Sequence, residues 1–143
     1  MQRKYRLSFW RKAVNQIAIR LLKAGIPLGT TYLLTVRGRK SGLLHTIPVT
    51  LVEEGGRRWL VAPYGAVNWV KNARAAGEVT ISRGKEGTTY RVKELEPAEA
   101  APILKRYIQR VGIVRPFFSA TPGAPLAAFE AEAKEHPVFL LQA

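Results

Sequence analysis

Residues 46–64 read T-I-P-V-T-L-V-E-E-G-G-R-R-W-L-V-A-P-Y. Two β-prone runs, Thr46–Glu54 and Arg57–Tyr64, flank the pair Gly55-Gly56. Such a pair signals a two-residue hairpin, because that turn needs positive φ at both of its central residues. In the second run Trp59 and Val61 alternate with Leu60 and Ala62. All four are apolar, so both faces of this strand are expected to be partly covered.

Downstream of the hairpin, Pro63–Val67 reads as a loop and Asn68–Ala76 as a helix, with Asn68 as its N-cap and Gly77 as its stop. Val79–Arg83 and Thr88–Leu95 form a second hairpin through Gly84–Gly87. Glu96 and Pro97 open a helix over Pro97–Val111, in which Ala100, Ile103, Leu104, Tyr107, Ile108 and Val111 keep helical period. Pro102 either kinks that helix or marks its true start. Ile113–Pro125 carries Pro116, Pro122 and Pro125 and reads as irregular. Leu126–Glu135 reads as a short helix and Pro137–Leu141 as a last strand.

Upstream lie a strand at Thr31–Arg37 and a basic turn at Gly38–Gly42. Before them, Met1–Ala24 reads as an amphipathic helix with Leu7, Trp10, Val14, Ile17 and Leu21 on one face, ended by Gly25 and Pro27. The fold class is therefore α+β and mainly antiparallel. About six strands, joined mostly by hairpins, are expected to curl into a small barrel or half-barrel. The domain reading is a basic helix over residues 1–24 and a barrel over residues 25–143.

The chain has 143 residues, enough for one core. Hydrophobic residues make up 47% and charged residues 23%, which excludes a disordered tail. No apolar run approaches the roughly 20 residues that span a bilayer. With no cysteine, disulfides, thiolate catalysis and cysteine-held zinc or iron–sulfur clusters are excluded. His45 and His136 are the two histidines, so no metal site is expected. Residues 1–24 lack the pattern of a secretory signal, and the expected location is cytoplasmic.

Charge is uneven. The net charge is +13, and the first 52 residues hold ten Lys and Arg with no acidic residue. That asymmetry calls for an anionic partner near the first third of the chain. The densest constellation is Arg37-Gly38-Arg39-Lys40-Ser41-Gly42. Its glycines allow a sharp turn with exposed N–H groups, and its cations and hydroxyl complete a nest for phosphate or carboxylate. The plainer alternative is a solvated hairpin tip.

His45-Thr46-Ile47-Pro48 follows, then the loop Ala62-Pro63-Tyr64-Gly65, then Asn68-Trp69 with Asn72 one turn on. These could converge at one end of a barrel, where Trp69 would offer a platform for a flat ring. Trp69 could equally anchor its helix to the core, and His45 could be a satisfied strand histidine. No G-x-G-x-x-G, Walker or G-x-S-x-G pattern is present, and no catalytic side chain stands out. An enzyme of this kind would rely on a bound cofactor for its reactive atoms.

Three runs carry a resemblance: V-R-G-R-K-S-G-x-x-H-T-I-P-V from Val36, L-V-A-P-Y-G from Leu60, and N-W-x-x-N-x-R-A-x-x-E-V-T-I from Asn68. Together they resemble the deazaflavin-dependent nitroreductase family, over about residues 30–95. The resemblance implies a split β-barrel related to FMN-binding oxidoreductases, and coenzyme F420 as cofactor, with FMN or FAD as alternatives. It implies that Arg39, Lys40, Ser41 and Gly42 bind the phosphate and acidic tail. It further implies that the strand His45, Thr46, Ile47, Pro48, Val49 and Thr50 runs beside the cofactor. Val61, Ala62, Pro63 and Tyr64 would lie near the deazaflavin ring. Asn68, Trp69, Val70, Lys71 and Asn72 would close over it.

The implied reaction is hydride transfer to a small electrophilic acceptor: a quinone, an enone or a nitro compound. Departures from the pattern narrow this. His45 stands where relatives carry an arginine, Pro63-Tyr64 stands where a Ser-Lys pair is common, and Pro125–Glu130 offers no hydroxyl. These departures argue against nitroimidazole reduction. The non-enzymatic alternative is peripheral contact of the basic helix with an anionic membrane surface on the cytoplasmic face. No organised single-strand motif supports a specific nucleic-acid partner. A monomer and a homodimer are both compatible with the sequence.

Overall fold

The computed structural model describes residues 9–24 and 31–143, and side chains from Asn15 onward. The helix start before Phe9 and the stop at Gly25 and Pro27 lie outside the described residues. Six antiparallel strands close into a barrel in the order β1-β2-β3-β6-β5-β4. They are β1 Thr31–Arg37, β2 Leu44–Glu54, β3 Arg57–Val61, β4 Glu78–Arg83, β5 Glu86–Glu94 and β6 Val138–Gln142.

The Gly-Gly turn forms as read. Gly55 and Gly56 have φ of 59° and 77°, and the β2–β3 register runs from Glu54↔Arg57 to Leu51↔Leu60. Beyond Leu51 the ladder stops. Among the described residues, 44–50 of β2 pair with β1 alone, which leaves their other edge without a partner strand there. Pro48, which has no N–H to offer a ladder, sits on that stretch. β3 ends at Val61, three residues earlier than expected: the Ala62 N–H bonds to the Pro137 carbonyl at 2.8 Å, and Pro63 has no N–H.

Two apolar clusters hold the molecule. The inner one fills the barrel with Leu34, Val36, Leu51, Leu60, Ile81 and Phe139, and takes Val70 and Ala73 from helix α2, Asn68–Ala76. The outer one joins Val52, Val61 and Val138 to Ile103, Leu104, Tyr107 and Ile108 of helix α3, Pro97–Arg110, and to Phe129 of helix α4, Leu126–Glu132. Leu60 and Val61 thus point to opposite sides and are both buried, which is why that strand lacks a polar face.

α2 has the expected bounds, but Val67 is its N-cap and Asn68 its first residue, with no side-chain cap. Pro102 lies inside α3 and is exposed; the helix runs through it, with its true start at Pro97 under a Glu96–Glu99 capping box. A 3₁₀ turn over Gly112–Phe117 takes up the first part of Ile113–Pro125, the stretch expected to be irregular.

The N-terminal helix α1, Phe9–Lys23, corrects the sequence reading. Ile17 is 59% exposed, whereas Leu22 is fully buried and its carbonyl accepts a 2.7 Å bond from the Gly84 N–H. Asn15, Ala18, Ile19 and Leu22 are the inward positions, at helical spacing. Of the expected face, Leu21 is half-buried and Ile17 points to solvent, while the side chains of Leu7, Trp10 and Val14 lie outside the described residues.

Candidate functional site

The open edge of β2 borders a cleft of about 1030 Å³. Its walls come from β2, the 38–43 turn, the loop after β3, the start of α2, the end of α3 with the following 3₁₀ turn, and Asn15 of α1. Of the residues expected at a site, Arg39, Lys40, Ser41, His45, Ile47, Pro48, Val49 and Thr50 line it. So do Val61, Pro63, Tyr64, Asn68, Trp69 and Asn72.

Five expected residues do not. Gly42 is exposed, with its carbonyl accepting from Arg37 Nη1 at 2.7 Å. Thr46 faces the other way and shares a 3.0 Å hydroxyl pair with Thr35. Ala62 and Val70 are sealed in the barrel core, and the Lys71 side chain is exposed away from the cleft. Thr46, Ala62, Val70 and Lys71 each point to a different side of their strand or helix from the neighbours that line the cleft.

The basic turn is built rather than loose. Gly38 N–H donates to the Leu43 carbonyl at 2.7 Å, and Ser41 Oγ accepts the Leu43 N–H at 3.1 Å. A Cβ at Gly38 would lie 2.8 Å from both His45 Nε2 and Ser41 Oγ, so the close approach of these side chains requires glycine there. Asn72, buried on α2, ties the turn down. Its Oδ1 accepts both the Arg39 backbone N–H at 3.1 Å and Arg39 Nη1 at 2.7 Å. Arg39 keeps its remaining guanidinium donors free of other bonds among the described residues. Lys40 has no hydrogen bond or ion pair among them.

Among the described residues, the lining carries Arg39, Lys40 and His45 and no carboxylate. Apolar walls come from Ile47, Val49, Val61 and Trp69. Trp69 serves both readings: its ring packs 6.0 Å from buried Phe139, and it lines the cleft. His45 is an exposed cleft residue rather than a core histidine. A cleft of this size, apolar with a few convergent polar groups, takes a cofactor-sized molecule. The cationic turn beside flat apolar walls fits an anionic ligand with a planar ring.

The sequence reading missed Tyr107, Val111, Ile113 and Val114, which bring the α3 side of the molecule to the cleft. Tyr107 and Val111 were assigned to the core by period, which is right for the Tyr107 ring and silent about its hydroxyl. His136 was also missed. Its Nδ1 donates to the Pro63 carbonyl at 2.9 Å, its ring stacks 3.8 Å from Phe118, and Glu132 lies 3.6 Å from Nε2. Glu132 is buried and accepts the Ser119 and Ala120 N–H groups. Ligand-type atoms of Glu132, Glu135 and His136 lie within 4.8 Å of one another. The bonds of His136 and Glu132 show what this cluster does: it pins the cleft loop at Pro63.

The family described as F420H(2)-dependent quinone reductase matches residues 4–117. A solved F420-H2 dependent reductase, FDR-A, is 25% identical, with 79% of this chain and 94% of that one covered at a TM-score of 0.53. A structure described as a domain-swapped dimer is 21% identical, with 92% and 98% covered at 0.58. A NimC/NimA family protein from Clostridium acetobutylicum is 12% identical, with 90% and 81% covered at 0.52, and shares the fold. No curated protein matches the chain.

Proposed function

Because the chain belongs to the F420H(2)-dependent quinone reductase family, we propose that the cleft along β2 holds the reduced deazaflavin beside a quinone. The protein is an oxidoreductase, and F420H2 is its hydride donor. The observation that carries the placement is the Arg39–Ser41 turn, fixed by Asn72 at the edge of a cleft without a carboxylate. Bound there, the cofactor supplies the hydride. Arg39, Lys40 and Ser41 hold its acidic tail through charge-assisted bonds. Ile47, Val49, Val61 and Trp69 flank the ring and exclude water, and the open backbone edge of β2 offers polar groups along its length.

The test is a titration of purified protein with F420H2, followed by addition of naphthoquinone. Binding and recovery of the oxidised deazaflavin absorbance are expected. No binding at millimolar cofactor defeats the reading, and a yellow protein with a flavin spectrum transfers it to FMN or FAD.

A second reading concerns the surface. Among the described residues no helix is long and apolar enough to cross a membrane. Exposed Ile17 on α1, beside Arg20 and Lys23 in the last turn, suits peripheral contact with anionic lipid.

A further inference from the structure

Tyr107 stands apart from every other residue of the outer cluster. Its ring is 4% exposed and packs with Val61, Leu104 and Ile108. Its hydroxyl has no hydrogen-bond partner among the described residues, yet it is not one of the sealed polar atoms, and the residue lines the cleft. A nearly buried O–H without a partner is costly unless something outside the chain completes it. The cleft that Tyr107 lines is the space in which such a partner would sit. Burial, with Tyr64 nearby, pushes the phenol above its ordinary 10. It therefore remains a neutral donor throughout the physiological range.

We propose that the Tyr107 hydroxyl donates a hydrogen bond to a carbonyl oxygen of the quinone and stabilises the negative charge that arrives with the hydride. The proposal rests on the reading of the cleft as the F420H2-dependent reductase site, and adds the acceptor-side residue to it. Hydride transfer would break a C–H bond of the reduced deazaflavin, which is oxidised and gives up a proton to water, and would bring two electrons and one hydrogen to the acceptor, leaving one of its oxygens negative. A proton from water then completes the hydroquinone, so Tyr107 keeps its own proton. A donor fixed by core packing before the charge develops needs no reorganisation when it does.

Tyr107→Phe removes one oxygen and preserves the ring in its cluster. F420H2 affinity is expected to stay within about twofold of the parent. With naphthoquinone, kcat is expected to fall about ten- to a hundredfold, with KM moving less. A second readout needs no turnover: the infrared carbonyl stretch of naphthoquinone bound to the protein with oxidised cofactor. In the parent protein it should lie below its frequency in hexane, and in Tyr107→Phe it should return toward that value. An unshifted band in the parent, or a variant with both cofactor affinity and kcat within about twofold, overturns the assignment while leaving the cofactor site standing. A parent protein that takes up no F420H2 overturns both.

Discussion

Lys40 and Arg39 are neighbours with different duties. Arg39 is bonded to Asn72 and shapes the turn, whereas Lys40 projects a cation with no partner among the described residues. Removing Lys40 should therefore leave the turn intact and act on the ligand alone. Lys40→Ala is expected to weaken F420H2 binding about tenfold at low salt. The gap should close between about 0.1 M and about 1 M salt, as the Debye length falls from about 10 to about 3 Å. Fluorescence titration at the two salt levels measures it. An equal loss at both would assign Lys40 a packing role. The anion-binding character of this turn was legible, because charge and glycine content are properties of adjacent residues. The Asn72 anchor was placed in the site by position, but its bond to Arg39 joins residues 33 apart.

The 3₁₀ and helical segment after α3 meets the barrel through the pair Glu132 and His136. His136 grips the Pro63 carbonyl, and Glu132 gathers the Ser119 and Ala120 amides, so the cleft loop and the C-terminal segment move together. Burial holds the His136 imidazole below its ordinary 6.5, against the opposing pull of Glu132, Glu135 and the Pro63 bond. The folded state thus resists taking a proton that the unfolded chain accepts. Its stabilising share is whole above about pH 6.5 and declines as pH falls from there toward the lower folded value. Urea unfolding at about pH 7.5 and about pH 5 should show the decline, and His136→Gln should flatten it. A slope unchanged by the substitution would place the acid sensitivity elsewhere. The two strand hairpins were legible because turn chemistry is local. The helix α3 was legible from its period, but the period marks which positions are covered and not what covers them.

Across the molecule, the barrel needs α1 as a cover. Leu22 is fully buried and Ile17 is 59% exposed, so the two substitutions should separate packing from surface contact. Leu22→Ala is expected to cost about 3 kcal/mol, or roughly 10 °C in melting temperature. Ile17→Asp should leave the melting temperature unchanged and lower pelleting with anionic liposomes. Unchanged pelleting would remove the membrane reading and leave α1 as a packing helix. Ile17 falls outside the covered surface because α1 is apolar over a broad arc: Val14, Ile17 and Leu21 form one helical stripe in the sequence and Ala18, Ile19 and Leu22 another. Periodicity alone does not rank two such stripes.

Order along the chain was enough to establish the strands, the Gly55-Gly56 turn, the cationic bend at Arg39 and the family to which these runs belong. Each depends on residues a few positions apart, whose φ preferences, charge and alternation act wherever the chain goes. The closed barrel decided the rest. It left the second edge of β2 without a partner strand over residues 44–50 among the described residues, turned Thr46 and Val70 away from the cleft, sank His136 beneath Pro63, and brought Tyr107 to the same cleft as Arg39. These outcomes depend on which distant groups exclude water from one another, and that is settled only when the whole surface is buried together.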